Sequence, residues 1–267
     1  MIAGPGSKQA IRDESREMTF DLLKDRLEPF YQDLDHIIDE VIRPVLPKSQ
    51  FRYFEACRFK IKAIWYVYCR IKELDRQYRE FLSLCISENA LDRLSLTGDE
   101  ACYHYFPFYE ALEFENLLSQ GKACLDRFSK ATGSMYSESP NNIDKLVNVL
   151  MSKPRGDKID KILAFIKEVD RLNGVIIDPK STEKKSVRNF ISHRERIDIF
   201  FAITLDQNTG KYSTSYGALL NMRHPEVANF PNYRVVDIAG KIWFLLMGII
   251  ENCFQVLFND PPSRGRG

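Results

Sequence analysis

The stretch SVRNFISHRER, Ser186 to Arg196, contains three residues whose types and spacing could do chemistry together: Arg188, Asn189 and His193. A histidine titrates near neutral pH, so it can act as a general acid or base. An arginine carries a permanently charged fork that matches phosphate oxygens, and an asparagine can hold a substrate oxygen or fix the tautomer of the histidine. This combination suits attack of an RNA 2′-hydroxyl on the neighbouring phosphate, with the histidine moving protons and the arginine stabilising the phosphorane.

The helical periodicity of this stretch predicts which of the three side chains lie together. At about 100° per residue, Asn189 and His193 share one face, whereas Arg188 lies roughly 140° away from His193. One copy of the helix therefore does not direct Arg188 and His193 to the same point, unless the long arginine side chain bends round. A second copy of the helix could complete the site instead, which suits a two-fold homodimer. On the same helical wheel the expected buried stripe consists of Val187, Phe190, Ile191 and Ile197.

The sequence around the motif is positively charged, although the whole chain carries a net charge of only +1. Six basic and two acidic residues lie between Lys180 and Arg196, and this local excess of four positive charges attracts phosphates at low salt. Alternatively, this face pairs with the stretch from Leu94 to Gln120, which has five acidic residues and no lysine or arginine. Both interpretations stay open. The candidates for substrate binding are Lys184, Lys185, Arg194 and Arg196.

The pattern Arg-Asn-x-x-x-His, on a late helix of a mainly helical chain, resembles the motif of the HEPN superfamily. The asparagine and the short gap carry the resemblance, because an arginine and a histidine alone at such spacing are expected about once by chance. The resemblance covers roughly residues 101–258 and implies a compact helical bundle. It also implies a metal-independent endoribonuclease with Arg188, Asn189 and His193 as catalytic residues, in which two copies of the motif face each other in a dimer.

The same resemblance implies a biological role as the effector of a toxin–antitoxin, abortive-infection or other defence system. RNA would be the substrate, and an antitoxin or sensor protein is a further candidate partner. In one well-known HEPN subgroup a tyrosine follows two residues after the histidine. Glu195 occupies that position here, so regulation by nucleotidylation of that tyrosine is not implied.

Two other classes of function remain open. The first is a non-catalytic HEPN-like module that binds RNA, a nucleotide or a partner protein. The second is a helical interaction protein unrelated to RNA, in which Arg188 forms an ion pair and His193 lies at the edge of the core. No cofactor and no metal are expected, because the chain lacks the G-x-S-x-G, Walker and H-E-x-x-H patterns, and Cys102 and His104 have no second pair of ligands.

Composition indicates an ordinary globular protein of 267 residues, with 44% apolar and 28% charged residues. Six cysteines without a C-x-x-C pair predict reduced thiols in the cytoplasm. The N-terminus has no apolar stretch typical of a secretory signal. The apolar run Ile242 to Ile250 is shorter than the roughly 20 residues that cross a bilayer. We therefore expect a cytoplasmic location and no membrane partner.

The predicted fold class is mainly α: a HEPN-like helical bundle preceded by a part with long helices, with one small β-hairpin. The stretch from Phe51 to Ile86 lacks glycine and proline, so it predicts one very long helix or two joined by a tight bend. Asn208-Thr209-Gly210 lies at the centre of a hairpin expected near residues 199–216. The predicted segments are a disordered lead-in (1–17), an N-terminal helical region (18–97), the bundle (98–259) and a flexible tail (260–267).

One acidic residue, Glu110, falls on an apolar helical face with Phe114, Leu117 and Leu118. A carboxylate in that position needs a partner, and Arg188 is a candidate. Alternatively, Glu110 is an acid in the first turn of a helix that begins after Pro107, where the helix dipole stabilises it.

Overall fold

The computed structural model describes residues 33–87, 100–178, 184–193, 198–200, 203–206, 209, 211–214, 219–221 and 234–259. The described part is mainly helical, which confirms the predicted class. Its α-helices are α1 (Lys48–Ser87), α2 (Glu100–Ser134), α3 (Ile143–Ser152), α4 (Asp157–Lys167), α5 (Val187–His193) and α6 (Val235–Asn259). A π-helical turn, Ile37–Ile42, precedes α1, and a 3-10 turn, Glu168–Leu172, follows α4.

Helix α1 is a single helix of 40 residues, so the first of the two predicted alternatives is confirmed. The predicted start of the next helix was wrong, because α2 begins at Glu100 and runs through Pro107. A proline removes one backbone donor and costs about 3 kcal/mol inside a helix. Apolar residues of the following turns bury against the rest of the bundle and offset this cost; they include Ala111, Phe114, Leu117 and Leu118.

Three long helices form the centre of the fold. Contacts between side chains show that α1 and α2 are antiparallel: Lys60 Nζ lies 2.8 Å from Gln120 Oε1, and Arg70 Nε lies 3.7 Å from Glu113 Oε1. Helix α6 also runs antiparallel to α1. The ring centroids of Phe54 and Phe254 are 4.8 Å apart, and those of Trp65 and Trp243 are 4.4 Å apart. These aromatic contacts join α1 to α6 along about half of the length of α6.

The shorter helices close one side of this core. Asn142 caps the start of α3, since its side chain accepts a hydrogen bond of 2.9 Å from the backbone N–H of Lys145. Helices α3 and α4 each bury one apolar stripe, and the 3-10 turn continues the stripe of α4. The buried residues are Ile143, Leu146 and Leu150 of α3, Ile159, Ile162 and Ile166 of α4, and Val169 and Leu172 of the turn.

Four short strands lie between α5 and α6. Strand β1 (Asp198–Phe200) pairs antiparallel with β4 (Leu219–Asn221), and β2 (Ile203–Asp206) pairs antiparallel with β3 (Lys211–Thr214). Of the residues that connect β2 to β3, only Thr209 is described. The predicted hairpin as a whole therefore stays a prediction.

The predicted lead-in, the predicted tail and the predicted boundary between residues 97 and 98 lie outside the described residues. The helices on either side of that boundary share one hydrophobic core, which extends from Leu34 and Ile38 through Phe114 to Phe254 and Leu257. None of the five described cysteines forms a disulfide, and Cys57, Cys124 and Cys253 are buried in this core. Burial raises the pKa of the Cys253 thiol to about 12.

Helix α6 qualifies as a membrane-spanning candidate by length and composition. Among the described residues it is the one helix with this property. The most apolar 18 residues within Val235–Phe258 have a mean hydropathy of 1.5, and half of them are buried within the bundle. The apolar run Ile242 to Ile250 is only the centre of this helix. The nine-residue run alone is too short to cross a bilayer, whereas α6 as a whole has 25 residues, which is long enough.

Candidate functional site

The motif residues lie on α5, whose first turn is bound to the loop that follows the 3-10 turn. The backbone N–H of Val187 donates to the carbonyl of Gly174 at 2.9 Å, and that of Arg188 donates to the carbonyl of Val175, also at 2.9 Å. Gly174 has a φ of 84°, a conformation that favours glycine. This loop therefore determines where α5 begins and how it is oriented.

A residue that the sequence analysis did not identify, Asp178, holds the start of α5. Its Oδ1 accepts hydrogen bonds from the backbone N–H of Ser186 at 2.8 Å and from the Ser186 hydroxyl at 2.9 Å. Its Oδ2 accepts a hydrogen bond of 3.0 Å from Nδ2 of Asn189. The amide plane of Asn189 is thereby fixed. One amide hydrogen is used by Asp178, and Oδ1 and the second amide hydrogen have no partner among the described residues.

The guanidinium of Arg188 is half-buried and has no acceptor in the described part of the chain. Its Nε is buried and donates to no described atom. A buried donor without a partner costs about 1–3 kcal/mol, so native proteins rarely keep one without a reason. The ion pair that the interaction-protein interpretation expected for Arg188 does not occur among the described residues. Arg188 therefore carries a charge that no described carboxylate neutralises.

The other predicted site residues are only partly described. Lys184 is exposed and Lys185 is half-buried. Arg194 and Arg196 lie outside the described residues, as does the side chain of His193, whose backbone ends α5. The predicted buried stripe is confirmed at Val187 and Phe190. Ile191 is half-buried, and Ile197 is outside the described residues.

Replacing Asp178 by alanine is expected to loosen the start of α5. The change removes a carboxylate that accepts two hydrogen bonds from Ser186 and one from Asn189. Loss of such a cap costs about 1–2 kcal/mol. Urea unfolding, monitored by circular dichroism, should show this loss in the free energy of unfolding. Asp170→Ala is the matched control, since Asp170 is an exposed acid in the neighbouring 3-10 turn. Equal stability of the two variants would contradict the capping role.

A second group of ionisable residues joins α1, α2 and the start of α6. Asp75 Oδ2 lies 2.9 Å from Arg79 Nη2 and 3.8 Å from Arg234 Nη2, and its side chain is 2% exposed. Glu110 is fully buried, and neither of its carboxyl oxygens has a hydrogen-bond partner among the described residues. Burial raises the pKa of Glu110 well above its ordinary value, and the nearby Asp75 raises it further, against the opposing charges of Arg79 and Arg234.

Both predictions for Glu110 were wrong. The charged groups that act on its pKa are Asp75, Arg79 and Arg234, not Arg188. Glu110 is also not in a first turn, because α2 begins ten residues earlier, at Glu100. The sequence feature that singled out Glu110 was an acidic residue on an apolar helical face. The sequence could not identify the partners, because they come from the far half of α1 and from the residue before α6.

The described residues contain no group of three or more His, Cys, Asp or Glu side chains placed to hold a metal ion. The chain matches no protein-family model, no curated protein and no solved structure.

Proposed function

We propose that this protein is a metal-independent endoribonuclease whose reactive groups are Arg188 and His193. The observation that carries the proposal is the guanidinium of Arg188, whose buried Nε has no acceptor among the described residues, on a helix that also ends in a histidine. A guanidinium fork matches two phosphate oxygens. Lys184, four residues earlier in the sequence and exposed, would add positive charge that draws in the RNA backbone.

In the proposed mechanism, His193 removes the proton from the RNA 2′-hydroxyl or protonates the leaving 5′-oxygen. Arg188 stabilises the negative charge that develops on the phosphorane oxygens. Asn189, with its amide held by Asp178, offers Oδ1 and one N–H to position the ribose or to fix the histidine tautomer. The products would be a 2′,3′-cyclic phosphate and a 5′-hydroxyl. We place this site in a HEPN-like bundle that carries a β-hairpin between α5 and α6.

The test compares two oligonucleotides of one mixed sequence in EDTA, one with ribose throughout and one with 2′-O-methyl ribose throughout. Wild-type protein is expected to cut the first and leave the second intact, because the methyl group removes the nucleophile. Cutting of both would overturn the mechanism. If it cuts neither but retains the RNA on a filter, the protein is a binding module.

The proposal includes a homodimer, because five residues along a helix separate Arg188 from His193 by roughly 140°. If the site takes its arginine from one copy and its histidine from the other, Arg188→Met and His193→Ala are each inactive alone. Mixed in equal amounts and allowed to exchange, they should recover about a quarter of wild-type cleavage, since half the dimers are mixed and each has one of two sites intact. No recovery, despite proven exchange, would place both residues in one copy.

A non-catalytic HEPN-like module that binds RNA, a nucleotide or a protein is the second candidate. The observation that favours it is the Asn189 amide, which is bonded to Asp178 and so already has a structural role. In either case we propose a cytoplasmic protein of a toxin–antitoxin, abortive-infection or other defence system, with an antitoxin or sensor as a further partner. The resemblance of the motif alone supports this last part.

A further inference from the structure

Two large aromatic side chains lie exposed on the outer face of α1. Phe59 is 67% exposed and Tyr66 is 51% exposed, although phenylalanine is among the residue types that are most often buried. They are seven residues apart, so they lie on the same side of the helix. The opposite side of α1 carries the buried residues Cys57, Ile61 and Ile64. The two rings therefore belong to a face of α1 that the core does not use.

Four charged residues extend this face, two before Phe59 and two after Tyr66. In chain order the six residues are Arg52, Glu55, Phe59, Tyr66, Arg70 and Glu73, and we call this set the α1 stripe. At about 100° per residue, all six lie within roughly 40° of Phe59 around the helix. Arg52 is exposed, and Glu55, Arg70 and Glu73 are partly exposed. The whole stripe is therefore accessible from one side.

The spacing of the α1 stripe is the same in both directions along the helix. The steps between successive residues are 3, 4, 7, 4 and 3. When the order is reversed, each aromatic residue falls opposite an aromatic residue and each arginine falls opposite a glutamate. Two copies of α1 that pack antiparallel about a two-fold axis would satisfy this pattern. The pairs across the axis are Phe59 with Tyr66, Arg52 with Glu73, and Glu55 with Arg70, each formed twice.

We propose that the α1 stripe binds the α1 stripe of a second copy of this chain. The aromatic pairs form an apolar centre and the arginine–glutamate pairs form a charged rim, which is the usual arrangement of a protein interface. Residues 52, 59, 66 and 73 follow one another at steps of seven, a spacing that suits helices crossing at about 20°. The symmetric spacing selects a second copy as the partner, because a two-fold interface requires a self-complementary surface and an interface with another protein does not.

The charged residues of the stripe have partners within the chain, but these contacts leave room for a second one. Arg70 Nε lies 3.7 Å from Glu113 Oε1, and Glu55 Oε1 lies 3.6 Å from Arg43 Nη2. Both distances are longer than an ordinary hydrogen bond. A guanidinium can donate five hydrogen bonds and a carboxylate can accept about four, so each group can also bind its counterpart in the second copy.

The middle of the stripe allows two helices to approach. Ala63, between the two rings, has a small side chain. Lys62, the charged residue nearest the two-fold axis, is paired with Asp35 at 2.7 Å, which offsets its repulsion of the same lysine in the other copy. The stripe is about 32 Å long. A contact of one helix with one helix is at the small end of specific interfaces, so we expect a micromolar dissociation constant.

The test is analytical ultracentrifugation of the full chain across the micromolar range of concentration. Wild type is expected to change from monomer to dimer over this range. Phe59→Asp and Tyr66→Asp should each raise the dissociation constant at least tenfold, because each places a carboxylate in the apolar centre twice. Urea unfolding checks that both variants keep their fold. Met151→Asp, a change of an exposed apolar residue on α3, is the matched control and should leave the dissociation constant unchanged.

The register is tested by reversing one charge pair. Arg52→Glu and Glu73→Arg should each weaken the dimer at least tenfold, because each places like charges opposite one another at two points. Mixed in equal amounts, these two variants should form a mixed dimer of about wild-type affinity, since both contacts then join opposite charges. Glu80→Arg is the matched control. Glu80 is exposed on the same helix and pairs with Arg76, as Glu73 does, but it lies outside the stripe, so its reversal should not change dimerisation.

Three results would overturn the proposal. A wild-type protein that stays monomeric throughout the micromolar range would show that the stripe does not bind itself. A dimer that Phe59→Asp and Tyr66→Asp leave unchanged would have its interface elsewhere. Failure of the Arg52→Glu and Glu73→Arg variants to associate with each other would exclude this register. The stripe contains no residue of α5, and none of these results depends on whether the protein cleaves RNA.

Discussion

We expect Arg188→Met to lower the rate of the proposed RNA cleavage by about a hundredfold or more, while the free energy of unfolding stays unchanged or rises by about 1 kcal/mol. The loss of rate is expected because, in the proposed mechanism, the change removes the charged donor that stabilises the phosphorane. The unchanged stability follows from the structure, where the buried Nε of Arg188 has no partner among the described residues. Methionine fills similar volume and needs no hydrogen bond.

Cleavage rates under single-turnover conditions and urea unfolding of the same preparations measure both effects. Lys184→Met is the matched control. It removes a neighbouring positive charge that is exposed, so binding should weaken at physiological salt and the cleavage rate at saturating protein should change little. If Arg188→Met destabilises the protein by 2 kcal/mol or more, Arg188 has a structural partner. This result would contradict its proposed role as a residue that binds an anion.

We expect Glu110→Gln to be more stable than wild type at pH 8 by about 1–3 kcal/mol. Near pH 4 the two proteins should have equal free energies of unfolding. The pKa of Glu110 is raised in the folded protein, chiefly by burial and then by Asp75, against the opposing effect of Arg79 and Arg234. The folded state therefore binds a proton that the unfolded state has released above its ordinary pKa of about 4.3. Stability from this proton is complete below that value and is lost as pH rises towards the raised pKa of the folded protein.

Unfolding curves between pH 4 and pH 8 test this sign. Glutamine resembles protonated glutamate in shape and does not titrate, so the variant should lack the loss of stability that wild type shows on going to pH 8. Glu113→Gln is the matched control on the same helix, because Glu113 lies 3.7 Å from Arg70. Glu113→Gln should destabilise the protein at pH 8 by at most about 1 kcal/mol, whereas Glu110→Gln should stabilise it. Parallel pH curves for wild type and Glu110→Gln would show that the carboxyl is not held protonated.

The long helices could be predicted from the sequence because their information is local. The stretch around α1 has apolar residues at steps of three and four and lacks glycine and proline, so local pattern alone predicts helix along its length. The prediction that a helix begins after Pro107 gave too much weight to proline. Burial of the following turns offsets the cost of the proline, and α2 continues through it. The helix that carries the motif and its buried residues Val187 and Phe190 were predicted in the same local way.

The partners of the site residues could not be predicted, because they depend on which loops meet. Asp178 lies eight residues before Ser186, and the loop around Gly174 holds the start of α5 through the backbone N–H of Val187. Glu110 was recognised as unusual from its position on an apolar face. Its neighbour Asp75 comes from α1 and Arg234 is the residue before α6, so their approach depends on how α1, α2 and α6 pack.

The most direct measurement of the central claim is the chemistry of the cleaved ends. A mixed RNA is incubated in EDTA with wild type, with His193→Ala and with Ser192→Ala, a change of the exposed neighbour on α5, and the products are analysed by mass spectrometry. We predict 2′,3′-cyclic phosphate ends with wild type and Ser192→Ala, and at least a hundredfold fewer with His193→Ala. Equal amounts of cyclic phosphate ends with His193→Ala, or products with 3′-hydroxyl ends, would contradict a ribonuclease built on Arg188 and His193.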